Sequence, residues 1–221
     1  MEYKLQVSSL ATQLELNDLY CERGERVLMQ NVNHCLEGGQ GLRIAGANGS
    51  GKTTLLRILT TALQPSGGEI LYQGQILSEC RFDYLSNILF LGHQSALKLT
   101  LTAEENLSWI TSELPGSVSV LNALERVGLR GYSDIPCHSL SAGQQRRVAL
   151  ARLLLSNAKI WFLDEPFAAL DGQGVQFVEQ CMERHVNGGG AVMLTTHQPI
   201  GMESVRRYSL VDSSDGEALD A

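Results

Sequence analysis

Three groups of residues in this chain have the types and spacing for phosphoryl chemistry. Gly46-Ala47-Asn48-Gly49-Ser50-Gly51-Lys52-Thr53 fits the pattern Gly-x-x-x-x-Gly-Lys-Thr. Its glycines let backbone N–H groups turn inward around phosphate oxygens without Cβ clashes. Lys52 supplies a compact positive charge for the β- and γ-phosphates, and the Thr53 hydroxyl can reach Mg²⁺, with Thr54 beside it. Asp164-Glu165 follows the apolar run Ile160-Trp161-Phe162-Leu163. Acids at the carboxyl end of a buried strand point into the crevice where α/β folds bind ligands. There Asp164 can hold Mg²⁺ and Glu165 can polarise an attacking water as general base. Leu140-Ser141-Ala142-Gly143-Gln144 reads as a capped helix start made of small residues. Small residues let the helix N–H end approach a γ-phosphate closely. Two helix N-termini can share one triphosphate only from opposite sides, which favours a second subunit.

Two further residues follow strand candidates. Gln94, in Leu91-Gly92-His93-Gln94-Ser95, offers a neutral amide to Mg²⁺ or its water. His197, in Leu194-Thr195-Thr196-His197-Gln198, can hydrogen-bond a γ-phosphate and respond to its loss. A lone Gln or His is more often an ordinary surface or structural residue. It is the set that carries the chemistry.

These residues need strands and helices to position them. Gly41–Ala45 reads as a short buried strand running into the glycine loop, and 52–63 as the helix that leaves it. Short strands are expected between Leu14 and Leu36, with a small hairpin around Gln73-Gly74. A strand is expected over 87–92, and residues 96–140 read as a mostly helical subdomain. Helices over 141–156 and 173–186 alternate with strands over 159–163 and 191–195. The ends, 1–12 and 212–221, read as mobile. The whole reads as one domain, 1–221.

Composition narrows the function. The net charge is −7 and no block of Lys and Arg stands out, which argues against nucleic acid as a partner. The five cysteines form no Cys-x-x-Cys pair and read as thiols in or near the core. No apolar run reaches the 18 residues needed to cross a bilayer, so a transport role would require other subunits to form the path.

Taken together, the motifs resemble those of the ATP-binding cassette ATPases, from about Leu14 to Val211 and in the family's order. The resemblance implies an α/β fold: a P-loop NTPase (RecA-like) core with an antiparallel β subdomain and a helical subdomain. It implies ATP and Mg²⁺ as cofactors, and a head-to-tail dimer enclosing two nucleotides. Gly46 to Thr53 look like the Walker A loop, Gln94 like the Q-loop glutamine, and Asp164 and Glu165 like Walker B and its catalytic glutamate. Ser141, Ala142, Gly143 and Gln144 look like the signature, Asp171 like the D-loop aspartate, and His197 like the switch histidine. Three positions depart from the common pattern. Ala142 stands for a glycine and Ala168 for a serine. The adenine-stacking aromatic falls near Arg23, with Tyr20 close enough to compete.

Within the family, Cys21-Glu22-Arg23, Gln145-Arg146-Arg147 and Thr195-Thr196-His197-Gln198 are similar to the ATP-binding subunits of haem exporters used in cytochrome c maturation. That similarity implies integral membrane partner subunits and a peripheral location on the cytoplasmic face of a bacterial inner membrane. The alternatives are the ATPase of another small-solute transporter, or a soluble cassette ATPase acting on ribosomes or DNA.

Overall fold

The computed structural model describes residues 12–109, 118–202 and 204–210. The expected mobile ends fall outside them, apart from Thr12, which opens the first strand. The antiparallel layer begins with β1 (Thr12–Arg23) and β2 (Arg26–Glu37). Next come β3 (Gly41–Ala45), α1 (Lys52–Leu59), β4 (Gly67–Tyr72), β5 (Gln75–Ile76), α2 (Arg81–Ser86) and β6 (Ile88–Leu91). The helical region holds α3 (Ala103–Ser108), α4 (Val120–Arg126) and a 3₁₀ turn at Cys137–Ser139. The chain then runs through α5 (Ala142–Leu155), β7 (Ile160–Asp164), α6 (Gly172–Asn187), β8 (Ala191–Thr195) and β9 (Val205–Ser209).

Two sheets result. One is antiparallel in the order β2-β1-β4-β5, and the other is parallel in the order β6-β7-β8-β3-β9. The central strands β7 and β8 are buried at every position. Their side chains divide by the two-residue period of a strand. Ile160, Phe162, Ala191 and Met193 face a core shared with α1 and the antiparallel sheet. Trp161, Leu163, Val192 and Leu194 face a second core with α5 and α6. A strand apolar on both faces reads as an unbroken apolar run, as expected for a parallel sheet covered on both sides.

Helix α5 belongs to two cores at once. Leu150 and Leu153 pack in the second core, whereas Val148, Ala151 and Leu155 pack with Ala103, Leu107, Ala123 and Leu124 of the helical region. A helix apolar on several faces is one buried between layers. This one joins the parallel sheet to the helical region.

Several elements differ from expectation. β1 and β2 are each twelve residues long rather than a series of short pieces. Their pairing shifts register around Asp18, and Asp18 (φ 49°) and Asn31 (φ 53°) are left-handed. Such bulges interrupt the alternation that marks a strand in sequence. α1 ends at Leu59 rather than Leu63, because Thr61 turns left-handed (φ 57°). Between 96 and 140, the described residues hold two short helices and much ordered loop rather than mostly helix. The loop is held by Asn106, whose Oδ1 accepts from Lys98 N at 2.8 Å and whose Nδ2 donates to the carbonyls of Lys98 and Thr102. Residues 110–117 of that expected subdomain lie outside the described ones.

Candidate active site

β3 delivers the chain to the glycine loop, and α1 leaves it. Gly51, the residue before α1, has φ 90°, and a Cβ there would sit 2.9 Å from the Leu28 carbonyl oxygen. Both the left-handed backbone and the close approach of β2 require glycine. Ser50 is buried and its amide donates to Ala47 O, closing the loop. Lys52 is 8% exposed, and its Nζ donates to the carbonyls of Gly46 (2.8 Å) and Ala47 (2.7 Å). The ammonium is thus held inside the loop by neutral acceptors that a phosphate can replace.

The carboxyl ends of β7 and β8 bring the other half of the site. Asp164 is 4% exposed. Its Oδ1 accepts from Thr195 Oγ1 at 2.7 Å and from Thr53 Oγ1 at 3.2 Å. Hydroxyl and carboxylate oxygens held together in this way are the hard donor set that suits Mg²⁺. Glu165 has a left-handed backbone (φ 48°), a conformation that costs of order 1–3 kcal/mol in a non-glycine residue. It is held there by its N–H, which donates to both O and Oγ1 of Thr195 at 3.1 Å. The turn sends its carboxylate toward His197, whose Nε2 lies 3.6 Å from Glu165 Oε1. Asn48, Gly49, Gly51, Lys52, Thr53, Thr54, Asp164, Glu165, Thr195 and His197 line one cleft of about 330 Å³, with Leu28 at its side.

A second cleft, of about 690 Å³, shares no lining residue with the first. Ser141, Gly143, Gln144, Arg147 and Asp171 line it. Ser141 caps α5: its Oγ accepts from Gln144 N at 3.2 Å, and Gln144 Oε1 accepts from Ser141 N at 2.9 Å. The capping box is therefore complete, and its outer face is exposed. Asp171 caps α6 through Gly174 N and pairs with Arg147 at 2.9 Å. Arg147 also donates to Val127 O at the end of α4.

Two expected site residues stand apart. Gln94 is exposed and lies outside the lining of the phosphate cleft. Arg23 is tied down, donating to Glu22 O (2.8 Å) and Gln64 O (2.9 Å). Tyr20 hydrogen-bonds Glu22. Arg26 does approach the glycine loop: its Nη2 lies 3.8 Å from where a Cβ on Gly49 would be.

The motifs did not indicate the arginines that hold the loops. Arg43 donates twice to Thr196 O, fixing the residue before His197. Arg146 donates to Gly92 O and Glu165 O, both at 2.9 Å. The only signal in sequence is a cation placed inside an apolar run: Arg43 within Gly41–Ala45, and Arg146 at the start of a buried helix.

The pattern of the ABC transporter family matches residues 29–168. This chain belongs to that family. It is an ATP-binding ATPase. It is 48% identical over 202 residues to the cytochrome c biogenesis ATP-binding export protein CcmA of Escherichia coli (strain K12), covering 90% of this chain and 97% of that protein. Among solved structures, a putative ABC transporter ATP-binding protein from Pyrococcus furiosus superposes with a TM-score of 0.75 at 28% identity, covering 90% of this chain and 98% of that one. The cassette MJ0796, in a dimeric post-hydrolysis state bound to ADP and Pi, gives a TM-score of 0.69 at 28% identity over 84% of this chain and 88% of its own. Among the described residues, no helix of this chain is long and apolar enough to cross a membrane.

Proposed function

We propose that this chain is the ATP-hydrolysing subunit of a membrane transporter serving haem delivery in c-type cytochrome biogenesis. It works as a head-to-tail dimer docked on integral membrane subunits, at the cytoplasmic face of a bacterial inner membrane. The transport assignment is supported by the near-complete overlap with CcmA at 48% identity.

The mechanism follows from the two clefts. In the first, Lys52 leaves its loop carbonyls for the β- and γ-phosphates. Thr53 and Asp164 would hold Mg²⁺, and Gln94 would serve as a further ligand to it. When bound, Mg²⁺ would supply charge neutralisation for the transferring phosphoryl group. Glu165 accepts the proton of the attacking water, and His197 contacts the γ-phosphate. Ser141, Ala142, Gly143 and Gln144, with Asp171, serve the nucleotide held by the second copy.

The observation that carries the shared-site reading is Gly143. A Cβ at this position would meet nothing within 4 Å in its own chain. Glycine near a helix start costs up to about 1 kcal/mol relative to alanine. The fold therefore bears that cost without needing the space, whereas a nucleotide approaching from outside does need it. Purification from detergent-solubilised native membranes tests the transport assignment. Companions dedicated to cytochrome c assembly are expected, and a ribosome or DNA partner would overturn it.

A further inference from the structure

Arg146 is 5% exposed, and no carboxylate pairs with its guanidinium among the described residues. Burial lowers its pKa, opposed by the nearby Asp164 carboxylate. A buried cation without a direct ion pair is costly, and the neutral carbonyls it binds offset that cost only in part. Its Nε finds no partner among the described residues. What the guanidinium does make is a bridge. Nη1 donates to Gly92 O, two residues before Gln94, and Nη2 donates to Glu165 O, where the backbone is left-handed. The Glu165 carbonyl also accepts from Ala168 N, so it is fixed from two directions. Arg146 itself stands on α5, five residues after the exposed cap Ser141.

We propose that Arg146 is a positioning residue for Glu165, tying the orientation of its carboxylate to the exit of β6 and to helix α5. Glu165 sits in a conformation that its own preferences disfavour, so it depends on external hydrogen bonds. Two come from Thr195, and the bond to its carbonyl side chain-to-backbone comes from Arg146. A guanidinium reaches two carbonyls with one rigid fork, which a lysine cannot reproduce. Because α5 also carries the cap that faces the second copy, engagement of that cap and the aim of the chain's own base run through one side chain. The inference rests on the reading of Glu165 as the general base.

The test is a double-mutant cycle on ATP hydrolysis by the purified protein. Arg146→Met is expected to lower kcat about 10- to 100-fold with KM for ATP changed less than about two-fold, the signature of a misplaced catalytic group. In a Glu165→Gln background the same change is expected to lower the residual single-turnover rate by less than about two-fold, because the group it positions is already gone. Equal losses in both backgrounds, or no loss with Glu165 present, would overturn the proposal. Arg146→Lys keeps the buried cation, and a smaller loss with the same dependence on Glu165 is expected. If the Met variant does not fold, the Lys cycle decides by the same criterion. Wild-type hydrolysis by Glu165→Gln alone would instead remove the base assignment, so the two failures are distinguishable.

Discussion

The phosphate cleft and the cleft at the start of α5 are built on opposite principles. In the first, the groups that would meet phosphate and metal already have partners in the chain: Lys52 on two carbonyls, and Asp164 on Thr53 and Thr195. In the second, the capping box is satisfied internally, yet Ser141, Ala142 and Asp171 present their outer faces to solvent. One cleft is arranged to exchange internal partners for a ligand. The other has its geometry fixed by its own hydrogen bonds and leaves its outer face free. On the proposed reading, the difference separates residues that bind a nucleotide from residues that complete a neighbour's site.

That contrast can be attacked by substitution, starting where the effect is largest. Ser141→Arg should reduce hydrolysis to background while leaving ATP binding by the same chain within about two-fold, since the two clefts share no lining residue. Equal loss of binding and hydrolysis, read by nucleotide titration and phosphate release, would merge the clefts into one. Next is Glu165→Gln, which should lower kcat by about 10²–10⁴ while ATP binding persists and an ATP-bound dimer accumulates on size exclusion. A monomer in saturating ATP would count against the dimer.

Gly143→Ala should separate the clefts more finely. With no contact within 4 Å in its own chain, the alanine should raise the unfolding free energy by up to about 1 kcal/mol while slowing hydrolysis. A more stable and fully active variant would show that nothing approaches this surface during turnover. The smallest effect expected is at the rim of the phosphate cleft. Arg26→Ala should weaken ATP binding a few-fold, or about 1 kcal/mol, and Arg23→Ala less, because Arg23 is already committed to Glu22 and Gln64. The reverse order in a binding titration would place the nucleobase beside Arg23.

The same contrast explains what could be read in the sequence. The glycine loop was legible because its chemistry is contiguous: eight neighbouring residues supply the amides, the ammonium and the hydroxyl. Asp164 and Glu165 were legible because a strand apolar on both faces ends at them. The long strands β1 and β2 were not, since bulges at Asp18 and Asn31 break the two-residue period. β9 is an edge strand with a largely exposed pattern, Val205-Arg206-Arg207-Tyr208-Ser209, and carries no apolar signal. The arginine clamps were also out of reach. Arg43 meets Thr196 and Arg146 meets Gly92 across 153 and 54 positions of sequence, so only the folded sheet brings them together.

The central claim, that one copy's signature completes the other's phosphate cleft, is tested most directly by mixing two inactive proteins. Ser141→Arg keeps its phosphate cleft, and Lys52→Ala keeps its signature. In a head-to-tail dimer of the two, one site combines the intact cleft of the first with the intact signature of the second. ATP hydrolysis should therefore reappear on mixing. A mixture as inactive as either variant alone would contradict the account.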